Sequence, residues 1–313
     1  MGVPFYYQRL KSRQAELFYR SILTQIEAGV EERYPLSMIN KAAAAQDVGC
    51  AVQAIIKDRP DFFFLSPEYH MHFVGQRLTV QWKWLYPKQH CLRLKAQMDH
   101  ELDRLVAPVT AAADVRERER ELYRKLALQR NYCNSGSADD HSILNPLLHR
   151  RGVCDGYAKL FAVAARKLRI PAIVVSGESR SERHAWNMVQ LGQEIYHLDV
   201  TWDGVYQNEC AFDYFNLSQT EIEQDHSAFS DIPQTSRAGN YHLKNGCFFE
   251  KQAALAKYLM QKTACGQRVI RARLSLQSGN IAKTALINMG LFSYDTLINE
   301  TQNTLLLIRK QVI

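Results

Sequence analysis

No run in this chain approaches the roughly 20 consecutive apolar residues that a membrane-crossing helix needs. The opening residues, Met1-Gly2-Val3-Pro4-Phe5-Tyr6, lack the charged-then-apolar pattern of a secretory leader. Tyr6 also stands where a myristoylation signal needs serine or threonine. No two cysteines are spaced Cys-x-x-Cys. The seven present (positions 50, 91, 133, 154, 210, 247 and 265) are scattered and odd in number, so reduced thiols are expected rather than a disulfide framework or zinc site. Internal repeats, low-complexity stretches, zinc fingers, phosphate loops and aromatic nucleic-acid platforms are missing too. Together these absences predict a cytoplasmic protein with no membrane or nucleic-acid partner and no cofactor.

What is present is ample apolar content. With 313 residues, 46% of them hydrophobic, two or three packed domains are expected. The net charge of +7 is uneven: residues 201–250 hold 2 Lys/Arg against 8 Asp/Glu, and residues 251–313 hold 9 against 2. The basic tail is expected to dock on the acidic stretch before it, with an acidic partner for 251–313 as the alternative.

The most informative stretch holds a thiol, an imidazole and a carboxylate in order: Cys154 in Gly152-Val153-Cys154-Asp155-Gly156-Tyr157-Ala158, His184 in His184-Ala185-Trp186-Asn187, and Asp199 in Leu198-Asp199-Val200-Thr201-Trp202-Asp203. Tyr157, Leu160, Phe161, Ala164 and Leu168 mark an amphipathic helix that stops before Pro171. Cys154 therefore falls at a helix N-terminus, where unpaired N–H groups and the macrodipole favour a thiolate and could also hold an oxyanion. His184–Leu191 and Glu194–Thr201 alternate around Gly192-Gln193 and predict a hairpin whose paired positions sum to 385. In that register Asp199 faces Trp186, and His184 is its diagonal neighbour. Ala185, Val189, Leu191, Tyr196, Leu198 and Val200 fill the opposite, core-facing side with Asn187 as its one polar member, so the chemistry is expected to face outward. His197 and Asp203 are rivals for base and carboxylate, and Asp203 is expected to be a turn residue.

These three motifs resemble the core of the transglutaminase-like superfamily over about Asp139 to Asp203, and the wider chain resembles bacterial proteins that carry this domain. The resemblance implies an α+β, papain-like fold with a Cys-His-Asp triad: Cys154 as nucleophile, His184 as base and Asp199 as its orienting partner, separated by 30 and 15 residues. It implies thiol-dependent acyl transfer on a protein or peptide substrate. Hydrolysis of a peptide or amide bond leads, with protein-glutamine transglutaminase or deamidase chemistry, or a silent peptide-binding module, as alternatives. In many relatives an aromatic or amide side chain upstream of the cysteine completes the oxyanion hole. Here Asn145 and His141 are the candidate donors, and Trp186 is a candidate substrate contact.

Three modules are expected. An N-terminal α+β accessory module spans 1–112, with helices at Phe5–Ala28 and Ser37–Lys57, strands at Phe62–Leu65, Tyr69–Val74 and Arg77–Tyr86, and a helix at Gln89–Val106. After a connector at Ala107–Ala113, the catalytic domain occupies 113–240 and opens with a charged helix, Val115–Arg130, capped by Asp114. A basic C-terminal α/β appendage spans 241–313: strand Tyr241–Phe249, helix Glu250–Thr263, strand Gln267–Leu274, helix Gly279–Met289 and strand Asn303–Arg309. His70 and His72 share a strand face, but no cluster completes a ligand set, so no metal is expected.

Overall fold

A computed structural model describes residues 5–28, 33–75, 77–111, 114–230, 232–236, 239–282 and 293–310. The N-terminal region contributes α1 (Arg13–Ala28), β1 (Arg33–Ser37), α2 (Ala44–Asp58), β2 (Leu65–Val74), β3 (Arg77–Trp84) and α3 (Lys88–Thr110). Its antiparallel sheet runs β1-β3-β2. The first helix starts at Arg13 rather than Phe5, because Ser12 Oγ accepts from the N–H groups of Gln14 and Ala15. The Asp58 carboxylate instead holds the N–H groups of Tyr6 and Tyr7, at 3.0 and 2.9 Å. Ser37 ends a strand that the helical reading missed, and α2 begins only at Ala44. Phe62, Phe63 and Phe64 are buried core residues in a turn rather than a strand. Ala107–Thr110 belong to α3, not to a connector: burial of Leu105, Val106 and Val109 carries the helix through Pro108, whose missing N–H falls in its last turn.

The central region follows with α4 (Val115–Gln129), β4 (Asn131–Tyr132), α5 (Leu144–His149), β5 (Arg151–Gly152), α6 (Cys154–Lys167), β6 (Ala172–Ser179), β7 (Glu182–Leu191) and β8 (Glu194–Leu198). Asp114 caps α4, accepting from Arg116 N–H at 3.1 Å. Then come β9 (Val205–Tyr206), β10 (Glu209–Cys210), α7 (Gln219–Ile222) and β11 (His226–Ala228). The central sheet is antiparallel, in the order β11-β6-β7-β8, with α6 packed on it. Asn187 pairs with Leu198 and Leu191 with Glu194, which is the register expected from the hairpin turn.

The chain continues with α8 (Tyr241–Lys244), β12 (Phe248–Phe249), α9 (Gln252–Ala264), β13 (Val269–Leu274), β14 (Tyr294–Asn299) and β15 (Thr304–Arg309). The expected strand at Tyr241–Phe249 opens instead with the short helix α8, because Asn240 accepts from His242 N–H and caps it, and only β12 at its end is strand. The strand at β14 was not anticipated, and most of the expected helix Gly279–Met289 lies outside the described residues. One apolar cluster runs from Tyr6 to Phe215 and joins the N-terminal helices to α6 and the inner sheet face. The last segment has its own core around Leu255, Leu259, Ile270 and Leu307, and Ala211 meets Leu306 and Ile308 along the seam.

Candidate active site

Cys154 is the first residue of α6, after Val153 as a cap that offers no side-chain bond. The helix starts there because Gly152 ends a short parallel pairing of β5 with β4, and Val153 N–H is spent on Asp140 O at 3.2 Å. Gly156 permits the approach of the preceding loop: a Cβ on it would lie 2.8 Å from Asp140 O. Cys154 is buried, with its thiol beside the His184 ring.

His184 stands on β7, and its Nε2 lies 2.6 Å from Asp199 Oδ2, leaving the other ring nitrogen for Cys154. Burial opposes protonation of this imidazole, but the charge and hydrogen bond of Asp199, with a further contribution from Cys154, push its pKa up to about 10. Asp199 follows the last residue of β8, anchored by its N–H to Tyr214 O at 3.0 Å. Its Oδ1 accepts from Thr201 N–H and hydroxyl at 2.7 and 2.6 Å. Burial would raise its pKa; His184 first and His226 second hold it well below the usual carboxylate range. The structure thus brings Cys154, His184 and Asp199 into one line.

The other expected site residues sit elsewhere. Asn145 Nδ2 donates to Asp140 Oδ1 at 3.2 Å, and the exposed His141 ring faces Asp155 at 3.7 Å. A second side chain beside Cys154, after His184, is Tyr132 on β4, which lies against both its thiol and its backbone N–H. Tyr132 is pinned from below: Tyr157, one turn into α6, accepts from Asn131 N–H and donates to Arg150 O, each at 2.9 Å. Trp186 is not a substrate contact. It is fully buried, stacks on the His184 ring at 6.1 Å, and donates Nε1–H to His197 Nδ1 at 3.0 Å.

The rivals are also placed. His197 is buried between Trp186 and Gln219, and burial lowers its pKa to about 4, which leaves it a neutral acceptor. Asp203 does lie in the turn after β8, but it is buried there, accepts from Tyr123 OH and Phe212 N–H, and is pushed up to about 7 by burial and by Asp213. The face of the hairpin expected to look outward is itself covered, by Trp202 and by β11. His226 on β11 brings its Nε2 to 3.2 Å from Asp199 Oδ2, a neighbour that the sequence did not signal. His184, Asp199 and His226 form the one group of metal-capable donors among the described residues. Both ring nitrogens already point at the shared oxygen, an arrangement of proton donors rather than of ligands.

Comparison with known proteins bears on this geometry. Residues 103–200 match the model of a family described as the transglutaminase-like superfamily. The chain contains a transglutaminase-like domain. Two solved structures are similar at low identity. One, from Cytophaga hutchinsonii, is described as a candidate cysteine protease (13% identical, TM-score 0.31, 43% of this chain and 62% of that one). The other is described as a TGase (12% identical, TM-score 0.33, 65% of this chain and 58% of that one). This chain thus spans about three fifths of the length of each. A search of curated proteins returned no significant match. No described helix of the transglutaminase-like domain or its flanks is long and apolar enough to cross a membrane.

Proposed function

We propose that this protein is a thiol-dependent acyl-transfer enzyme that hydrolyses a peptide or amide bond in a protein or peptide substrate. The observation that carries the reading is the connected line Cys154–His184–Asp199, with the thiol at a helix N-terminus and the carboxylate fully buried. The match of the surrounding residues to a family of thiol-dependent enzymes supports it.

In this mechanism the Cys154 thiolate adds to the substrate carbonyl carbon. His184, kept protonated by Asp199, delivers its proton to the leaving amine as the C–N bond breaks. Water then attacks the thioester, giving a proton to His184 and releasing Cys154. The carbonyl oxygen's negative charge needs donors, and the Tyr132 hydroxyl lies against both the thiol and the Cys154 N–H. An entering carbonyl would take that N–H and accept the Tyr132 O–H as a second bond. An amine in place of water would make the same site a transglutaminase, and ammonia released from glutamine would make it a deamidase.

The test is incubation of the full chain with a complex peptide mixture in heavy-oxygen water, with an added amine, followed by mass spectrometry. New carboxyl termini carrying heavy oxygen report peptide hydrolysis; the same label on glutamine side chains reports deamidation, and amine adducts report transamidation. Cys154→Ala and His184→Ala should each remove nearly all product, Asp199→Asn should cost roughly 10⁴-fold, and Tyr132→Phe about 10²-fold or more. Product that persists in Cys154→Ala rules the mechanism out.

A further inference from the structure

Behind the triad carboxylate lies a second imidazole that the acyl-transfer line does not use. His226 opens β11 and its ring is wholly enclosed. Its Nε2 is 3.2 Å from Asp199 Oδ2, and its Nδ1 is 2.6 Å from Asp225 Oδ1. Asp225 is tied down in turn: its Oδ2 accepts from Tyr214 OH at 2.5 Å, and Gln302 Nε2, from the turn between β14 and β15, reaches its Oδ1 at 3.5 Å.

The proton count decides the charge of this ring. A carboxylate is an acceptor only, and a neutral imidazole carries one N–H. A neutral His226 would therefore turn a lone pair on one of the two carboxylates at hydrogen-bond distance, inside a site where an unmade bond is costly. Both contacts are met together when both ring nitrogens are protonated. Of the other groups facing the ring, His184 and Arg180 are cations that oppose a charge on it, and His197 is not. His184 lies 5.2 Å away between ring centroids, Arg180 reaches Asp225 from the far side at 4.0 Å, and His197 stays neutral beyond Trp186. The remaining walls are Trp186, Trp202 and the Tyr214 ring. Burial opposes the charge, but Asp199 and Asp225 outweigh it and raise the His226 pKa.

We infer that His226 is a positioning residue for the candidate active site: a buried imidazolium bridging Asp225 and Asp199, which fixes the triad carboxylate from the side opposite His184. The inference rests on the acyl-transfer reading of Cys154, His184 and Asp199. It gives Asp199 Oδ2 two donors, so that the carboxylate cannot rotate away from His184 without breaking a second charged hydrogen bond. It also makes Asp225, which is not in the reacting line, part of what holds that line.

Two measurements on the full chain test it. The first is nitrogen-15 NMR of histidine-labelled protein at pH 8, with the His226 signals assigned from His226→Gln and, should that variant not fold, from Asp225→Asn. Both ring nitrogens of His226 are expected to be protonated; a bare ring nitrogen at that pH overturns the inference. The second is the iodoacetamide alkylation rate of Cys154 in a double-mutant cycle. His226→Gln should slow it on the order of tenfold, the loss of a hydrogen bond to a charged group, and should cost nothing further in an Asp199→Asn background. Equal slowing in both backgrounds means that His226 acts on the fold rather than through Asp199, and the inference falls while the triad stands. If wild-type Cys154 reacts no faster than the other cysteines, the acyl-transfer reading fails, whatever the NMR shows of His226.

Discussion

Asp199 accepts four hydrogen bonds on two oxygens, and each has a different consequence. The two from Thr201 set the plane of the carboxylate, and the two from imidazoles set its charge. The same burial that would neutralise an isolated acid here strengthens its hold on His184, because the low local dielectric penalises only unpaired charge. This has a pH signature. The His184 pKa is raised from 6.5 to about 10, so its contribution to stability is complete below about pH 6.5 and disappears as pH rises through 10. His197 works the other way: held neutral with a pKa near 4, it costs stability as pH falls from about 6.5 toward 4, where the unfolded chain gains a proton first. Urea midpoints of the wild type and His184→Gln should converge between about pH 6.5 and 10. The midpoints of the wild type, but not of His197→Gln, should decline more steeply below pH 6. A constant wild-type-to-His184→Gln difference across the alkaline range would refute the assigned ion pair.

Among elements, β6 and β11 decide how the site is closed. β11 pairs with the end of β6 and carries His226 to Asp199. The fit depends on Gly177: a Cβ there would sit 2.1 Å from Ser227 O and 2.7 Å from the Trp186 ring. Either β11 moves out or Trp186 leaves the His184 ring, and neither is cheap, since one obstacle is backbone and the other is a fully buried indole. Gly177→Ala should lower stability by about 1–3 kcal/mol or more, measured by denaturant unfolding, and slow Cys154 alkylation as β11 is displaced. Wild-type values for both would mean that the strand junction has slack. The local sequence made the helix behind Cys154 and the hairpin legible, because apolar periodicity and a two-residue turn are properties of neighbouring residues. It could not show β11, a three-residue strand whose partner lies some 50 residues earlier. Nor could it show Tyr132, which reaches Cys154 by a parallel pairing of only two residues.

At the scale of the whole molecule the uneven charge finds its counterpart within the chain. Arg268 and Arg271 both pair with Glu209, Arg273 lies 3.5 Å from Glu221 and donates to Gln302 at 2.9 Å, and Thr304 donates to Asp213 at 2.5 Å. These pairs differ in weight. Arg268 is largely exposed, so Arg268→Ala should cost no more than about 1 kcal/mol. Arg273 is enclosed, and Arg273→Ala removes its hydrogen bond to Gln302 and one of several partners of Glu221, a loss on the order of 1.5–3 kcal/mol. Chemical denaturation of the two variants checks the ranking, and equal small losses would show that the tail rests on apolar contact alone. Because Gln302 also touches Asp225, the same damage should reach His226.

The sequence by itself determined the hairpin register, the placement of the thiol at a helix N-terminus, the order of thiol, imidazole and carboxylate, and the sign of the contact between tail and acidic stretch. Each follows from residue spacing along a strand or helix, or from summed charge. Tertiary structure alone decided which groups surround those three residues. It turned Asn145 and His141 toward other acids, buried the hairpin face that alternation assigned to solvent, and delivered Tyr132 and His226 to the site. Periodicity reports whether a side chain points to one face or the other; whether a face meets water or a further strand depends on segments far along the chain. That is a matter of packing, which no local pattern encodes.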